Sequence, residues 1–153
     1  MVLSKSCVYG LRATIFLALH TDREYIPISE ISEKLHISFH FLTKILQTLT
    51  QKGLLMSYRG PTGGVALTKP AQDIIIYDIV TAIDGDEIFT GCILSLPGCG
   101  NQTPCPMHES WALVRNKIRT LFITTSLADL ARGVRESNLR LVDLESLIAA
   151  TKQ

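Results

Sequence analysis

Apolar and polar positions alternate with the period of an α-helix in three segments of the first third of the chain. They cover 8–20, about Ser29–Leu35, and a longer stretch from Ser38 to Lys52. Ser38 is placed to cap the third helix, and Gly53 to end it in the left-handed conformation. The apolar stripe of this helix has the spacing i, i+3, i+4, i+7 and consists of Leu42, Ile45, Leu46 and Leu49. Two short helices joined by a tight turn predict a helix-turn-helix.

The segment after the third helix has the pattern of a β-hairpin. Leu54–Tyr58 and Val65–Lys69 predict two strands, and the connection over 59–64 is rich in glycine. Glycines at such a tip permit positive φ angles and a close approach to another backbone. A hairpin directly after a helix-turn-helix is a wing, so the expected fold is mainly α, a winged helix-turn-helix.

The second half of the chain predicts further helices around one loop. An amphipathic helix over 76–84 ends at Gly85, and glycines and prolines make 91–106 a loop. A long helix follows over Met107–Thr125, and a short one over Leu127–Arg132. Apolar positions in the tail, spaced as in one more amphipathic helix, are Leu139, Leu141, Leu144, Leu147 and Ile148.

The long helix carries an apolar seam whose spacing alternates between three and four residues. The seam consists of Trp111, Val114, Ile118, Leu121 and Thr125. Such a heptad-like stripe suits a contact with a second copy of the chain, and packing on its own domain is the alternative. The mean hydropathy of +0.25 is high for a monomer of 153 residues, which favours a subunit interface. We therefore expect a homodimer held by a long C-terminal dimerisation helix.

Charge is distributed unevenly although the net charge is only +1. Residues 1–70 contain eight lysines and arginines against four acids, and the remainder contains seven against ten. A basic front half suggests contact with phosphate. No apolar run is long enough to cross a bilayer and no signal-peptide cleavage site is evident, so we expect a cytoplasmic protein. No catalytic triad, phosphate loop or dinucleotide fingerprint is present, so an enzyme is not expected.

The outer face of the third helix has the side chains of a recognition helix. Glutamine can pair with adenine, threonine can touch a thymine methyl group, and lysine can reach guanine or phosphate. The candidate DNA contacts on this face are Ser38, His40, Thr43, Lys44 and Gln47. On the hairpin, Arg59 can enter a minor groove, and Thr62 and Lys69 are candidate phosphate contacts. The expected partner is double-stranded promoter DNA.

Three of the four cysteines lie close together, which points to a metal or cluster site. Cys92, Cys99 and Cys105 are followed by His108 within one loop. Iron–sulfur clusters and zinc both accept three thiolates and one imidazole. The loop lacks the close Cys-x2–4-Cys pair that zinc knuckles favour, and its wide gaps suit a larger inorganic core. Cys7 on the first helix is best interpreted as a small buried hydrophobic residue.

These patterns divide the chain into four parts. Residues 1–85 are the predicted winged helix-turn-helix DNA-binding domain, and 86–108 are the cluster-binding loop. Residues 107–132 contain the dimerisation helix and the short helix, and 133–153 form the tail.

Several of these motifs together resemble those of the IscR/NsrR/CymR group of bacterial winged-helix regulators, the Rrf-type family. The resemblance runs from the first helix to about Arg132. It is carried by Ile28-Ser29-Glu30-Ile31, Ile37-Ser38-Phe39, Leu42, Gln51-Lys52-Gly53-Leu54, Arg59-Gly60-Pro61-Thr62-Gly63-Gly64-Val65-Ala66-Leu67 and the cysteine loop. Val65 stands where many relatives have an aromatic residue. Thr43 stands where the IscR-type members have an acidic residue that tunes operator choice, so an operator sequence is not carried over.

The resemblance is nearest to the IscR-type members and implies a cofactor. The segment from Cys105 to His108, followed by Trp111, looks like theirs and implies a [2Fe–2S] cluster with His108 as the fourth ligand. The NsrR-like members hold a [4Fe–4S] cluster with a ligand from the partner's first helix. Val8 stands at that place and cannot ligate, whereas Cys7 beside it has a ligating side chain. A [2Fe–2S] cluster is therefore favoured over [4Fe–4S].

The expected function is transcription regulation by sensing iron–sulfur status, redox state or nitric oxide through the cluster. One alternative retains DNA binding with structural zinc or no metal at the cysteine loop. Another is an iron–sulfur electron-transfer protein, which predicts no DNA affinity and is disfavoured by the basic front half and the wing.

Overall fold

The computed structural model describes residues 2–98 and 100–142, and this part of the chain is mostly helical. The helices are α1 Lys5–Leu19, α2 Ile28–Leu35, α3 Phe39–Gln51, α4 Ile76–Asp84, α5 Glu87–Thr90, α6 His108–Thr124 and α7 Leu127–Glu136. Strands β1 Leu55–Tyr58 and β2 Gly64–Leu67 form a hairpin, which we call the wing, and a 3-10 turn covers Ala71–Asp73. This architecture confirms the mainly α winged helix-turn-helix predicted from the sequence.

The helix-turn-helix is held by apolar side chains at the predicted helical spacing. All four residues of the α3 stripe are buried, and Leu42, Leu46 and Leu49 share one core with Ile31 and Leu35 of α2. Between the helices, His36 adopts a left-handed conformation with φ of 54°, and Ile37 is buried. The Ser32 hydroxyl donates a hydrogen bond of 2.6 Å to the carbonyl oxygen of Ile37, which fixes the turn.

The two ends of α3 differ in how they are formed. Gly53 has φ of +79°, and the amide of Leu54 donates to the carbonyl oxygen of Leu49 at 3.0 Å, so the predicted left-handed end is confirmed. Ser38 occupies the N-cap position, but its side chain makes no capping hydrogen bond. The prediction of a serine cap is therefore wrong in this respect. The sharp turn at His36 and burial of Ile37 set the start of α3 instead.

The wing is joined to the rest of the domain at its second strand. The strands are antiparallel, with Leu55 opposite Leu67 and Tyr58 opposite Gly64. Both are slightly shorter than the predicted ranges. Ile26, in the loop before α2, exchanges two backbone hydrogen bonds with the buried Val65, of 3.0 and 2.9 Å. The hairpin therefore cannot move independently of the segment that leads into α2.

The last helix packs back onto the first. Leu127 and Ala131 of α7 are fully buried in the main core. The Arg135 guanidinium donates to the carbonyl oxygens of Ala18 and Leu19, at 3.1 and 3.0 Å, near the C-terminus of α1. This helix continues beyond the predicted end at residue 132, and the predicted tail positions 144, 147 and 148 lie outside the described residues.

A smaller core connects the first helix to the C-terminal half. Its buried members are Cys7, Val80 and Phe89, and Ile118 and Phe122 of α6 pack against it. Phe89 belongs to α5, which the sequence pattern did not predict because one helical turn is too short to show a period.

The apolar seam predicted along α6 is divided between two environments. Trp111 and Ile118 are half-buried against their own domain, whereas Val114 and Leu121 are 47% and 58% exposed. Thr125 lies just beyond the helix. The five positions therefore span the boundary between an inward face and an outward face of α6, and the subunit contact stays a prediction.

Candidate DNA-binding surface and metal centre

The predicted recognition residues lie on the outer face of α3. Ser38, His40, Lys44 and Gln47 are exposed, while the apolar stripe behind them is buried. Four polar side chains on one exposed helix face are what base-edge and phosphate contacts require.

Two further side chains of α3 change the chemistry of this surface. Thr43 is half-buried, and its hydroxyl donates to the carbonyl oxygen of Phe39 at 2.7 Å. The hydroxyl proton is therefore used within the helix itself. Phe39 itself is 46% exposed and meets the ring of His40 edge-on, with centroids 5.8 Å apart. Sequence analysis did not assign Phe39 to the surface, because its position at the first turn fits either environment.

The tip of the wing presents two of the predicted contacts. Arg59 and Thr62 are both exposed. Next to them the rings of Tyr25 and Tyr58 stack with centroids 5.4 Å apart. These tyrosines are 33 positions apart in the sequence, so no local pattern indicates the pair. The stack joins the last residue of β1 to the segment before α2.

Lys69 lies away from the tip. It follows the returning strand and is exposed at the opposite end of the hairpin. There it lines a surface cleft together with Lys52, near the C-terminus of α3. Arg59 and Lys69 therefore mark the two ends of the wing.

The described part of the cysteine loop brings two predicted ligands together. The sulfur atoms of Cys92 and Cys105 are 3.5 Å apart, and Cys105 is buried. This separation is too long for a disulfide bond. Two thiolates bound to one tetrahedral metal at about 2.3 Å have their sulfur atoms about 3.7 Å apart. The pair therefore fits joint ligation of one metal ion, whether iron or zinc.

His108 stands beside this pair at the start of α6. Its amide donates to the carbonyl oxygen of Cys105 at 3.0 Å, so the loop is tied directly to the first residue of the helix. Its Nε2 lies 3.2 Å from Oδ1 of Asn101. An imidazole that donates from Nε2 presents Nδ1 to a metal, which is the usual arrangement of a ligating histidine with a supporting oxygen. No pattern in the sequence indicates a role for Asn101.

The remaining predicted ligand, Cys99, lies outside the described residues. Among the residues that are described, no group of three or more histidine, cysteine, aspartate or glutamate side chains is arranged to hold a metal ion. The donor set that is placed, two adjacent thiols with an imidazole one helical turn away in sequence, is chemically suited to an iron–sulfur cluster or zinc.

Helix α6 holds the main chain immediately before Cys92. The carbonyl oxygen of Gly91 accepts hydrogen bonds from Trp111 Nε1 and from Arg115 Nη1, both at 2.9 Å. An open cleft of about 780 Å³ adjoins this contact and is lined by Cys92, Trp111 and Asp84, among others. The cysteine loop thus has room beside it and a fixed attachment to α6.

Cys7 has the environment of a buried structural thiol. It has no solvent exposure, and burial, aided by the negative charge of Asp84, raises the pKa of its thiol to about 12. Metal ligation requires the thiolate, which this environment disfavours. Its surroundings agree with the interpretation of Cys7 as a small apolar residue.

None of the helices in the described ranges has the length and apolar composition that a membrane crossing needs.

Comparison with known proteins points to one family. The family model of Rrf2, described as an iron-dependent transcriptional regulator, matches residues 3–133. The transcriptional regulator IscR of Photorhabdus laumondii is 31% identical over 125 residues, which are 82% of this chain and 76% of that protein.

Solved structures agree with this sequence match. CymR, the global cysteine regulator of B. subtilis, superposes with a TM-score of 0.70 at 26% identity, over 84% of this chain and 95% of that one. IscR of T. potens superposes with a TM-score of 0.73 at 25% identity, over 90% and 91%. The relatives are transcriptional regulators and not enzymes. With a helix-turn-helix, a wing and a matching family model over most of its length, the chain belongs to the Rrf2 family of DNA-binding transcriptional regulators.

Proposed function

We propose that this protein is a cytoplasmic homodimeric regulator that senses iron–sulfur status, redox state or nitric oxide through a cluster. The cluster would be held by Cys92, Cys99, Cys105 and His108, and a [2Fe–2S] centre is favoured over [4Fe–4S]. The observation that carries the proposal is the approach of the Cys92 and Cys105 sulfur atoms to 3.5 Å beside the start of α6. When bound, the cluster supplies a redox-active centre whose occupancy and oxidation state respond to the cell.

The residues around the ligands support this assignment. Asn101 would hold His108 with Nε2 as donor, which leaves Nδ1 for the metal. Trp111 and the Gly91 carbonyl would fix the direction of the chain at Cys92. A histidine ligand is lost when it is protonated, so such a site releases its metal more readily than one with four thiolates. This lability suits a sensor.

We propose that DNA is contacted by α3 and the wing. Ser38, His40, Thr43, Lys44 and Gln47 would enter the major groove, Arg59 a minor groove, and Thr62 and Lys69 would meet phosphates. In a two-fold dimer, the two recognition helices would read half-sites about one helical turn apart. A regulator of this kind acts where bacterial DNA is, in the cytoplasm.

The proposed dimer contact is the outward face of α6. None of the 17 residues of this helix is buried within one subunit. Leu113, Val114 and Leu121 are among its exposed apolar side chains. Apolar residues that recur along one exposed helix are typical of a subunit contact.

Structural zinc is the second candidate for the cysteine loop, because the sulfur–sulfur distance suits zinc equally well. A zinc protein would bind DNA in a manner that does not depend on oxygen or reductant. The proposal for an iron–sulfur cluster therefore differs from it in both metal content and response.

The experiment is anaerobic purification with iron, sulfide and zinc analysis and a visible absorption spectrum. We expect equal amounts of iron and sulfide in the wild type, loss of both in Cys92→Ala and Cys105→Ala, and retention of both in the matched control Cys7→Ala. DNA duplexes selected from a random pool by the loaded protein then serve in an anisotropy titration, before and after removal of the cluster. Stoichiometric zinc without sulfide, or identical DNA affinity in both states, would refute the sensing proposal.

A further inference from the structure

Arg115 makes an unusual contact with the end of α5. Its Nη1 donates to two consecutive carbonyl oxygens, those of Thr90 at 3.2 Å and Gly91 at 2.9 Å. Trp111, one turn earlier on α6, donates to the same Gly91 oxygen. The next residue in the chain is Cys92. Two side chains of α6 therefore converge on the peptide group that precedes a predicted ligand.

Capping a helix of four residues does not account for this arrangement. Arg115 Nε is buried and has no hydrogen-bond partner among the residues the structure describes. The ion pairs found in the same residues do not involve Arg115. Arg115 as a whole is half-buried, but a buried N–H donor without an acceptor is costly, so Nε calls for an acceptor and the positive charge beside it favours an anion.

The anion that the neighbouring sequence offers is a thiolate-bound metal centre. A centre held by three thiolates and a neutral histidine carries net negative charge, and a cation beside it favours the thiolate form of its ligands. Positive charge near an iron–sulfur cluster also raises its reduction potential. The charge of Arg115 and its hydrogen bonds to the carbonyl oxygens would thus both stabilise the cysteine loop.

We infer that Arg115 is a positioning residue of the cluster site, which fixes the main chain at Cys92 and supplies the compensating charge. The inference rests on the proposed function. The same contact connects the cysteine loop to the rest of the molecule. Arg115 and Trp111 lie on α6, whose outer face exposes Val114 and Leu121. A shift of the peptide at Cys92 is transmitted to α6 and from there to the proposed dimer contact.

The test compares Arg115→Met with Arg119→Met, which removes the same charge from an exposed position one turn further along α6. Each variant is prepared anaerobically, and three quantities are measured: iron retained against a chelator, the midpoint potential, and DNA affinity of the iron-free protein. For Arg115→Met we expect about 10- to 100-fold weaker iron retention and a lower midpoint potential. DNA affinity without iron should remain at the wild-type value, and Arg119→Met should match the wild type throughout.

Two further variants separate position from charge and cover a folding failure of Arg115→Met. Arg115→Lys keeps the charge, but its side chain differs in length and shape and does not place a donor where Nη1 meets both carbonyl oxygens, so it should lose iron faster with a near-normal potential. Trp111→Phe removes one donor to Gly91 and leaves the charge, and should behave in the same way.

The outcomes distinguish the inference from the proposal beneath it. Iron-free wild-type protein under these conditions overturns both. A wild type that binds iron, together with an Arg115→Met variant of unchanged potential and retention, overturns the role of Arg115 alone. Equal loss of stability and of iron-free DNA affinity in Arg115→Lys and Trp111→Phe, with no change in iron retention, also overturns it, because that result describes a purely structural contact.

Discussion

Gly64 lies where the wing touches the body of the domain, and its replacement by alanine probes that contact. Its φ is +154°, and a Cβ atom at this position would lie 2.1 Å from the carbonyl oxygen of Ile26. The obstacle is backbone, so rotation of a side chain cannot relieve it. The wing must move away from Ile26, which disrupts the two hydrogen bonds between Ile26 and Val65.

The cost can be estimated from these two effects. A non-glycine residue in a sparsely populated backbone region costs about 1–3 kcal/mol. Each hydrogen bond contributes about 0.5–1.5 kcal/mol net, so losing both costs about 1–3 kcal/mol. Gly64→Ala should therefore lower the free energy of unfolding by about 2–6 kcal/mol, a large share of the 5–15 kcal/mol that is typical of a domain.

Gly53→Ala is the matched control for this measurement. Gly53 also has a positive φ, of +79°, but a Cβ atom there meets nothing within 4 Å. Gly53→Ala should therefore be destabilised only by the unfavourable backbone conformation, without a steric clash. Urea denaturation followed by circular dichroism gives both free energies, and DNA titration in the folded range gives affinity, which should fall further for Gly64→Ala because Arg59 moves with the wing. Equal destabilisation by the two substitutions would refute the contact argument.

Three further predictions concern charge and association. Burial raises the pKa of the Cys7 thiol from 9.0 to about 12, so the unfolded state loses this proton at lower pH than the folded state does. The contribution of Cys7 to the free energy of unfolding is therefore fully present below pH 9 and is lost as the pH rises toward 12. Urea titrations of Cys7→Ala should lack this alkaline slope, of at most about 1.4 kcal/mol per pH unit, and an unchanged slope would contradict the pKa. Leu121→Glu should weaken self-association in sedimentation, whereas the exposed Asn116→Glu should not; equal effects would exclude α6 as the contact. Lys69→Ala should weaken DNA binding and reduce the salt slope by about 1, because Lys69 would meet a phosphate, and an unaltered slope would remove it from the phosphate contacts.

The local sequence pattern was sufficient to predict the helices and the hairpin of the DNA-binding half of this protein. The stripe Leu42, Ile45, Leu46 and Leu49 repeats at helical spacing, and the glycines around the wing mark where the chain reverses. Both features act over a few residues, and burying a helix stripe leaves its opposite face in solvent. The exposed positions of α3 could therefore be predicted without coordinates. The order of the candidate ligand residues in the cysteine loop was likewise evident from the sequence.

Tertiary structure decided what local pattern leaves open. Along α6 the sequence predicts an apolar stripe but does not say which residues meet α4 and α5 and which remain outside, because periodicity gives a direction only relative to the helix itself. Three features involve residues that are far apart in the chain. These are the stacking of Tyr25 on Tyr58, the effect of Asp84 on the pKa of Cys7, and the hydrogen bond from Arg115 to Gly91. Such contacts depend on how the whole core packs. Sequence thus determined the longer helices, the hairpin and the candidate residues they carry, and packing determined which side chains meet.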